Sequence, residues 1–193
     1  TYGLLPEGKR SGAPIATRID ELLPDGWPKR PTWIVAVRTS DGRRIVFGRD
    51  DVTGTVGQAT QASAAIPAFY TPVRIGDRSY VDGALHSSTN ADLVATLGFD
   101  LVIISSVKTA TPDARSWRSD PERSWFSNKL DNELAKIRST GTPAIVIEPA
   151  DTQLELLASG ERADACLAGR LAAERVLATS EGAGLRSIVE PAS

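Results

Sequence analysis

The stretch ASAAIPAFYTPVRIGDRSYVDGA, Ala62 to Ala84, sets the reading of the whole chain. It begins with small residues that close a helix, because Pro67 cannot continue one. PVRIGDRSYV then reads as two short strands around a Gly76-Asp77 turn, and the chain turns again at Asp82-Gly83. Catalytic groups of α/β proteins usually stand in loops beyond the carboxyl ends of strands, and by chain order the Asp82 turn is in such a place.

The flanking segments supply the rest of the architecture. TVGQATQASAAI (Thr55 to Ile66) is a helix of small residues, able to approach a neighbour closely. Upstream, IATRIDELL carries Ile15, Ile19, Leu22 and Leu23 at helical spacing and stops at Pro24-Asp25-Gly26. TWIVAVR (Thr32 to Arg38) is a near-continuous apolar, β-branched run of the kind that fills a buried strand. The SDG that follows turns it into RRIVFG (Arg43 to Gly48), a hairpin.

Downstream, NADLVATLG (Asn90 to Gly98) predicts a helix with Asn90 or Thr89 as N-cap, Asp92 in the first turn and Gly98 at the stop. DLVIISS (Asp100 to Ser106) and PAIVIEP (Pro143 to Pro149) are two further buried strands. A polar loop runs from Lys108 to about Glu122. WFSNKLDNELAKIRSTG is an amphipathic helix with Phe126, Leu130, Leu134 and Ile137 on one face. Two helices close the chain, around Leu154 to Ala158 and from Glu161 to Thr179. Apolar strands separated by helices predict a mostly parallel central sheet with helices on both faces. The expected fold is therefore three-layer α/β/α, with residues 1–193 forming one domain.

Composition narrows the function classes. The chain has 193 residues and a net charge of −2, with acids and bases intermixed. Nucleic-acid binding would need a clustered basic face. No apolar run reaches membrane-spanning length. A single cysteine, Cys166, and a single histidine, His86, exclude an internal disulfide framework and the usual zinc ligand sets. They fit a reducing compartment, the cytoplasm, with at most peripheral membrane contact. Cys166 lies among Ala163, Leu167 and Leu171 on the last helix, which predicts a buried structural thiol. Trp27, Trp33, Trp117 and Trp125 read as packing residues, and Trp117 and Trp125 border the polar loop as candidates for an apolar rim. Asp50-Asp51 reads as a solvated turn.

Acyl transfer is one chemistry that the Asp82 turn can serve. A serine hydroxyl is a poor nucleophile until a base takes its proton, and an aspartate within hydrogen-bonding reach can do so directly. Gly83 lets the backbone turn sharply and admits a close neighbour, and Ala84 keeps the turn small. His86, four residues on, does not complete a triad with Asp82 and Ser87 or Ser88, since triad members generally come from separated segments. It reads as a loop or pocket-rim histidine.

ASAAIPAFYTPVRIGDRSYVDGA together with the downstream STNADL resembles the second half of the patatin-like phospholipase family. The likeness runs from about Trp33 to Ser106 and rests on the flanks of a D-G-[GA] motif, with Asn90 matching an asparagine at a helix start. Ala91 stands where the family often has proline. The resemblance implies a patatin or lysophospholipase-like fold and a Ser–Asp dyad that works without histidine, metal or organic cofactor. It places Asp82 as the catalytic base, with Gly83, Ala84 and Asn90 forming the site. The implied substrate is a lipid or other acyl ester.

The family's G-x-S-x-G nucleophile turn does not occur in the sequence, nor does its Gly-rich oxyanion loop. The chain also contains no methionine. The expectation is that these residues are the C-terminal portion of a patatin-like domain. The nucleophilic serine then lies upstream, in the same protein or in an N-terminal portion present as a separate partner chain, and this portion alone is inactive. The alternative is a non-catalytic α/β module that binds a lipid or protein partner.

Overall fold

The computed structural model describes residues 8–107, 109, 121–149 and 161–179. Its contacts divide the chain into two compact units, Thr1–His86 and Ser87–Ser193.

The first unit is built on a 4-stranded sheet of order β2-β1-β4-β3. The expected hairpin forms β1 (Ile34–Arg38) and β2 (Arg44–Phe47), which pair antiparallel with Val35 opposite Val46. Its turn is fixed by the Arg38 carbonyl, which accepts from the Gly42 amide at 2.9 Å, with Gly42 at φ 68. β3 (Val73–Ile75) and β4 (Arg78–Asp82) form the second hairpin around Gly76-Asp77. β4 also pairs antiparallel with β1, setting Val81 opposite Val37 and Asp82 opposite Ala36.

Helices α1 (Ala13–Leu22) and α2 (Val56–Ser63) belong to this unit. The small residues of α2 have a purpose: Ala59 and Ala62 are fully buried in a core with Ala36, Phe47 and Tyr80. A β-carbon on Gly57 would lie 2.3 Å from the Ala16 carbonyl oxygen, so a side chain there would force α1 and α2 apart. Asp20 of α1 reaches the start of α2 and accepts from the Gly57 amide at 2.8 Å and the Thr55 hydroxyl at 2.9 Å. Thr55 and Gln58 complete a reciprocal capping box.

The second unit holds β5 (Val102–Ser105) and β6 (Ala144–Ile147), paired parallel, with α3 (Pro121–Ser139) and α4 (Arg162–Leu177). α3 presents the expected face: Leu130, Leu134 and Ile137 pack with Val102, Ile104 and Ala144. α4 buries Ala168 and Ala172.

The α/β class stands, but a mostly parallel sheet does not describe the strands. Among the described residues every pairing in the larger sheet is antiparallel, and β5 with β6 is parallel. For the two hairpins, β1 with β2 and β3 with β4, the reason is connection length. The Ser40-Asp41-Gly42 and Gly76-Asp77 turns can only reverse the chain, whereas a parallel crossover needs a dozen or more residues. Two further expectations are corrected. NADLVATLG forms only a short 3-10 helix, Ala91–Val94. Cys166 is exposed rather than buried, because α4 turns Ala168 and Ala172 inward instead. The expected helix at Leu154 to Ala158, most of the polar loop and Trp117 lie outside the described residues.

Candidate functional site

Asp82 closes β4, and its position is fixed from both sides. Its backbone amide donates to the Ala65 carbonyl at 3.0 Å, tying the strand end to the segment after α2. Its Oδ1 accepts from the Ala84 amide at 2.8 Å and so caps the 3-10 turn Gly83–Leu85. The carboxylate is half-buried.

Gly83 follows for a steric reason. A β-carbon at that position would stand 2.4 Å from the Val35 carbonyl oxygen and 2.9 Å from its carbon. Those are backbone atoms of β1 and cannot swing aside, so only glycine lets the turn lie against the strand. Ala84 is half-buried and supplies the amide that orients the acid. His86 ends the turn, with its amide donating to the Gly83 carbonyl at 3.0 Å. Asp82, Gly83 and Ala84 are therefore brought together as one rigid turn in the first unit.

Asn90 belongs to the second unit, and its local geometry is unusual. It is buried and left-handed at φ 51, a conformation that asparagine tolerates better than most residues. Its side-chain amide donates to the Ser87 carbonyl, and its backbone amide donates to the Ser87 hydroxyl at 3.1 Å. Asn90 makes no side-chain cap of the 3-10 helix that follows. That task falls to Glu133 of α3, whose Oε2 accepts from the Ala91 amide at 3.0 Å and from the Thr89 hydroxyl. Ser87 is committed to this turn, while the buried Ser88 Oγ has no hydrogen-bond partner among the described residues.

Residues 2–95 match the patatin-like phospholipase family. Over that stretch the chain is similar to the family, and the stretch includes the D-G-A motif and its flanks. The matched stretch begins well before Trp33, the start of the likeness carried by the motif and its flanks. It takes in α1, α2, the larger sheet, the Asp82 turn and Asn90, and stops before β5.

Sequence reasoning did not find Asp20 or Glu133. Asp20 left no local signal, since its partners at Thr55 and Gly57 are far along the chain. Glu133 left one: it is three residues after Leu130 and four before Ile137, a charge on the apolar face of an amphipathic helix. Among the described residues, no group of three or more His, Cys, Asp or Glu could hold a metal ion, and no helix is long and apolar enough to cross a membrane.

Proposed function

We propose that this chain supplies the general base of a patatin-like acyl-ester hydrolase working through a Ser–Asp dyad. Asp82 takes the proton of a nucleophilic serine that lies upstream of these residues, and the serine attacks the acyl carbonyl. An upstream Gly-rich loop holds the oxyanion. The protonated Asp82 then gives this proton to the departing alcohol as the acyl-serine forms, takes a proton from water as its oxygen attacks the acyl-serine, and returns that proton to the serine oxygen as the acid leaves. In this reading residues 1–193 are the C-terminal portion of a three-layer α/β/α patatin-like domain. The N-terminal portion is joined in the same protein or is a separate chain. The substrate is a lipid or other acyl ester, met by a cytoplasmic protein through peripheral contact at a membrane.

The observation that carries the reading is the Asp82 turn itself within the patatin-like stretch. A half-buried acid stands at a strand end, with its backbone amide pinned to Ala65. The glycine after it is required by contact with Val35.

One observation favours the alternative of a non-catalytic module. The Ala84 amide already engages Asp82 Oδ1, as in an ordinary turn-capping aspartate. Asp82→Asn separates the two readings, because asparagine keeps the Oδ1 acceptor for Ala84 while losing the basic carboxylate. In the full-length protein, Asp82→Asn is expected to lower turnover of p-nitrophenyl esters by at least about a hundredfold, the scale of a lost general base. The circular dichroism spectrum and melting temperature stay at parent values. Near-normal turnover would remove Asp82 from the chemistry and leave the turn-capping role.

A further inference from the structure

The groove between residues 27–32 and 48–54 of the first unit has a volume of about 610 Å³. That is within the range of about 300–1,000 Å³ typical of small-molecule sites. We propose that it binds a small organic anion with an apolar body, of the aryl phosphate or aryl carboxylate class. The proposal is independent of the chemistry assigned to Asp82.

The walls are built rather than incidental. The Trp27 indole N–H donates to the Gly54 carbonyl at 2.9 Å, clipping one wall to the other. Gly48 sits at φ 86, and a β-carbon there would lie 2.2 Å from the Thr32 carbonyl oxygen, so the two segments meet without room for a side chain. Pro28 and Pro31 stiffen the first wall. A preformed wall lowers the entropy lost on binding.

The charges in the lining do not cancel. Lys29 and Arg30 stand on one wall, both exposed, and neither side chain has an ion-pair partner among the described residues. Asp50 is the acid of the lining, but its carboxylate is already engaged: Oδ2 accepts from the Val46 amide at 2.8 Å, and Oδ1 accepts from the Arg49 guanidinium at 2.9 Å. Burial pushes its carboxyl up, yet those two donors outweigh burial and hold it below the ordinary aspartate value. Asp50 therefore stays charged and committed, leaving two cations to face an incoming anion. Trp27 and Val52 add apolar surface to the same lining. An inorganic anion would use only the cations, and an uncharged aromatic only the indole.

The test is a ¹H–¹⁵N NMR titration of the full-length protein with phenyl phosphate, inorganic phosphate and phenol in parallel. Saturable shifts are expected at the Trp27 indole N–H and at the Lys29 and Arg30 amides. Phenyl phosphate is expected to bind about tenfold more tightly than either fragment. The exposed double substitution Lys29→Gln/Arg30→Gln is expected to weaken it about tenfold without changing the fold. Shifts that do not saturate, equal affinity for either fragment, or undiminished binding by the double variant would each overturn the proposal.

Discussion

Arg38 and Asp41 show how one charge pair ties a hairpin to solution pH. Arg38 is only 8 % exposed, so its guanidinium needs a partner. Asp41 provides it with two contacts, from Nε at 2.9 Å and from the terminal nitrogen. The Arg38 hydrogen bond holds the Asp41 carboxyl down from 3.8 to about 2. A carboxyl with a depressed folded value contributes stability above its unfolded value and loses it as pH falls through the folded one. The window therefore runs from about pH 4 down to about pH 2. Asp41→Asn is expected to flatten the acid limb of stability across that window and to leave the neutral-to-basic limb parallel to the parent. Urea midpoints measured at half-unit pH steps check this. Acid limbs of equal slope in parent and variant would show that the pair carries no pH-linked stability.

At the scale of the element, the helices and strands were legible wherever periodicity was local. Leu130, Leu134 and Ile137 predict the face of α3 and are buried on it. Ser40-Asp41-Gly42 predicts the first hairpin, and β1 pairs with β2 through it. Asn90 misled, because cap, first-turn acid and C-terminal glycine are all present in NADLVATLG, yet only Ala91–Val94 coils. The cause is tertiary. Glu133 reaches in from α3 and takes the Ala91 amide, and the Ser87 carbonyl and hydroxyl hold Asn90 in the left-handed region. Glu133→Ala would leave the Ala91 amide and the Thr89 hydroxyl without their buried acceptor. That loss is expected to cost about 1–3 kcal/mol. Glu133→Gln, which keeps one acceptor oxygen, is expected to recover part of it. Equilibrium urea unfolding of both variants tests the assignment, and an alanine variant as stable as the parent would remove Glu133 as the holder of this turn.

At the scale of the whole molecule, the sequence pattern identifies which residues are interior but not which strands become neighbours. Strand direction depends on connection length and pairing, and a buried apolar run looks alike in either arrangement. The Asp82 turn was legible because its motif is contiguous, whereas its steric basis at Val35 lies on another strand. Each unit has its own interior, and that of the first centres on Phe47. The ring is 0 % exposed and meets Tyr80 edge-on at 5.2 Å between centroids. Ala36, Ala59, Ala62 and Ala65 belong to the same cluster, together with Ile45, Val73, Ile75 and Tyr80. Alanine side chains cannot extend to refill the space a missing ring would leave, so collapse around the site is limited. Phe47→Ala is expected to cost about 3–5 kcal/mol, a large part of the about 5–15 kcal/mol that stabilises an ordinary domain. Phe47→Leu conserves more of the volume and is expected to cost roughly 1 kcal/mol. Hydrogen exchange at the amides of β1 and β4 reads the effect where the ring packs, with protection falling steeply in the alanine variant and little in the leucine variant. Equal protection in parent and alanine variant would mean that the α2–sheet interface, and not the ring, holds this interior together.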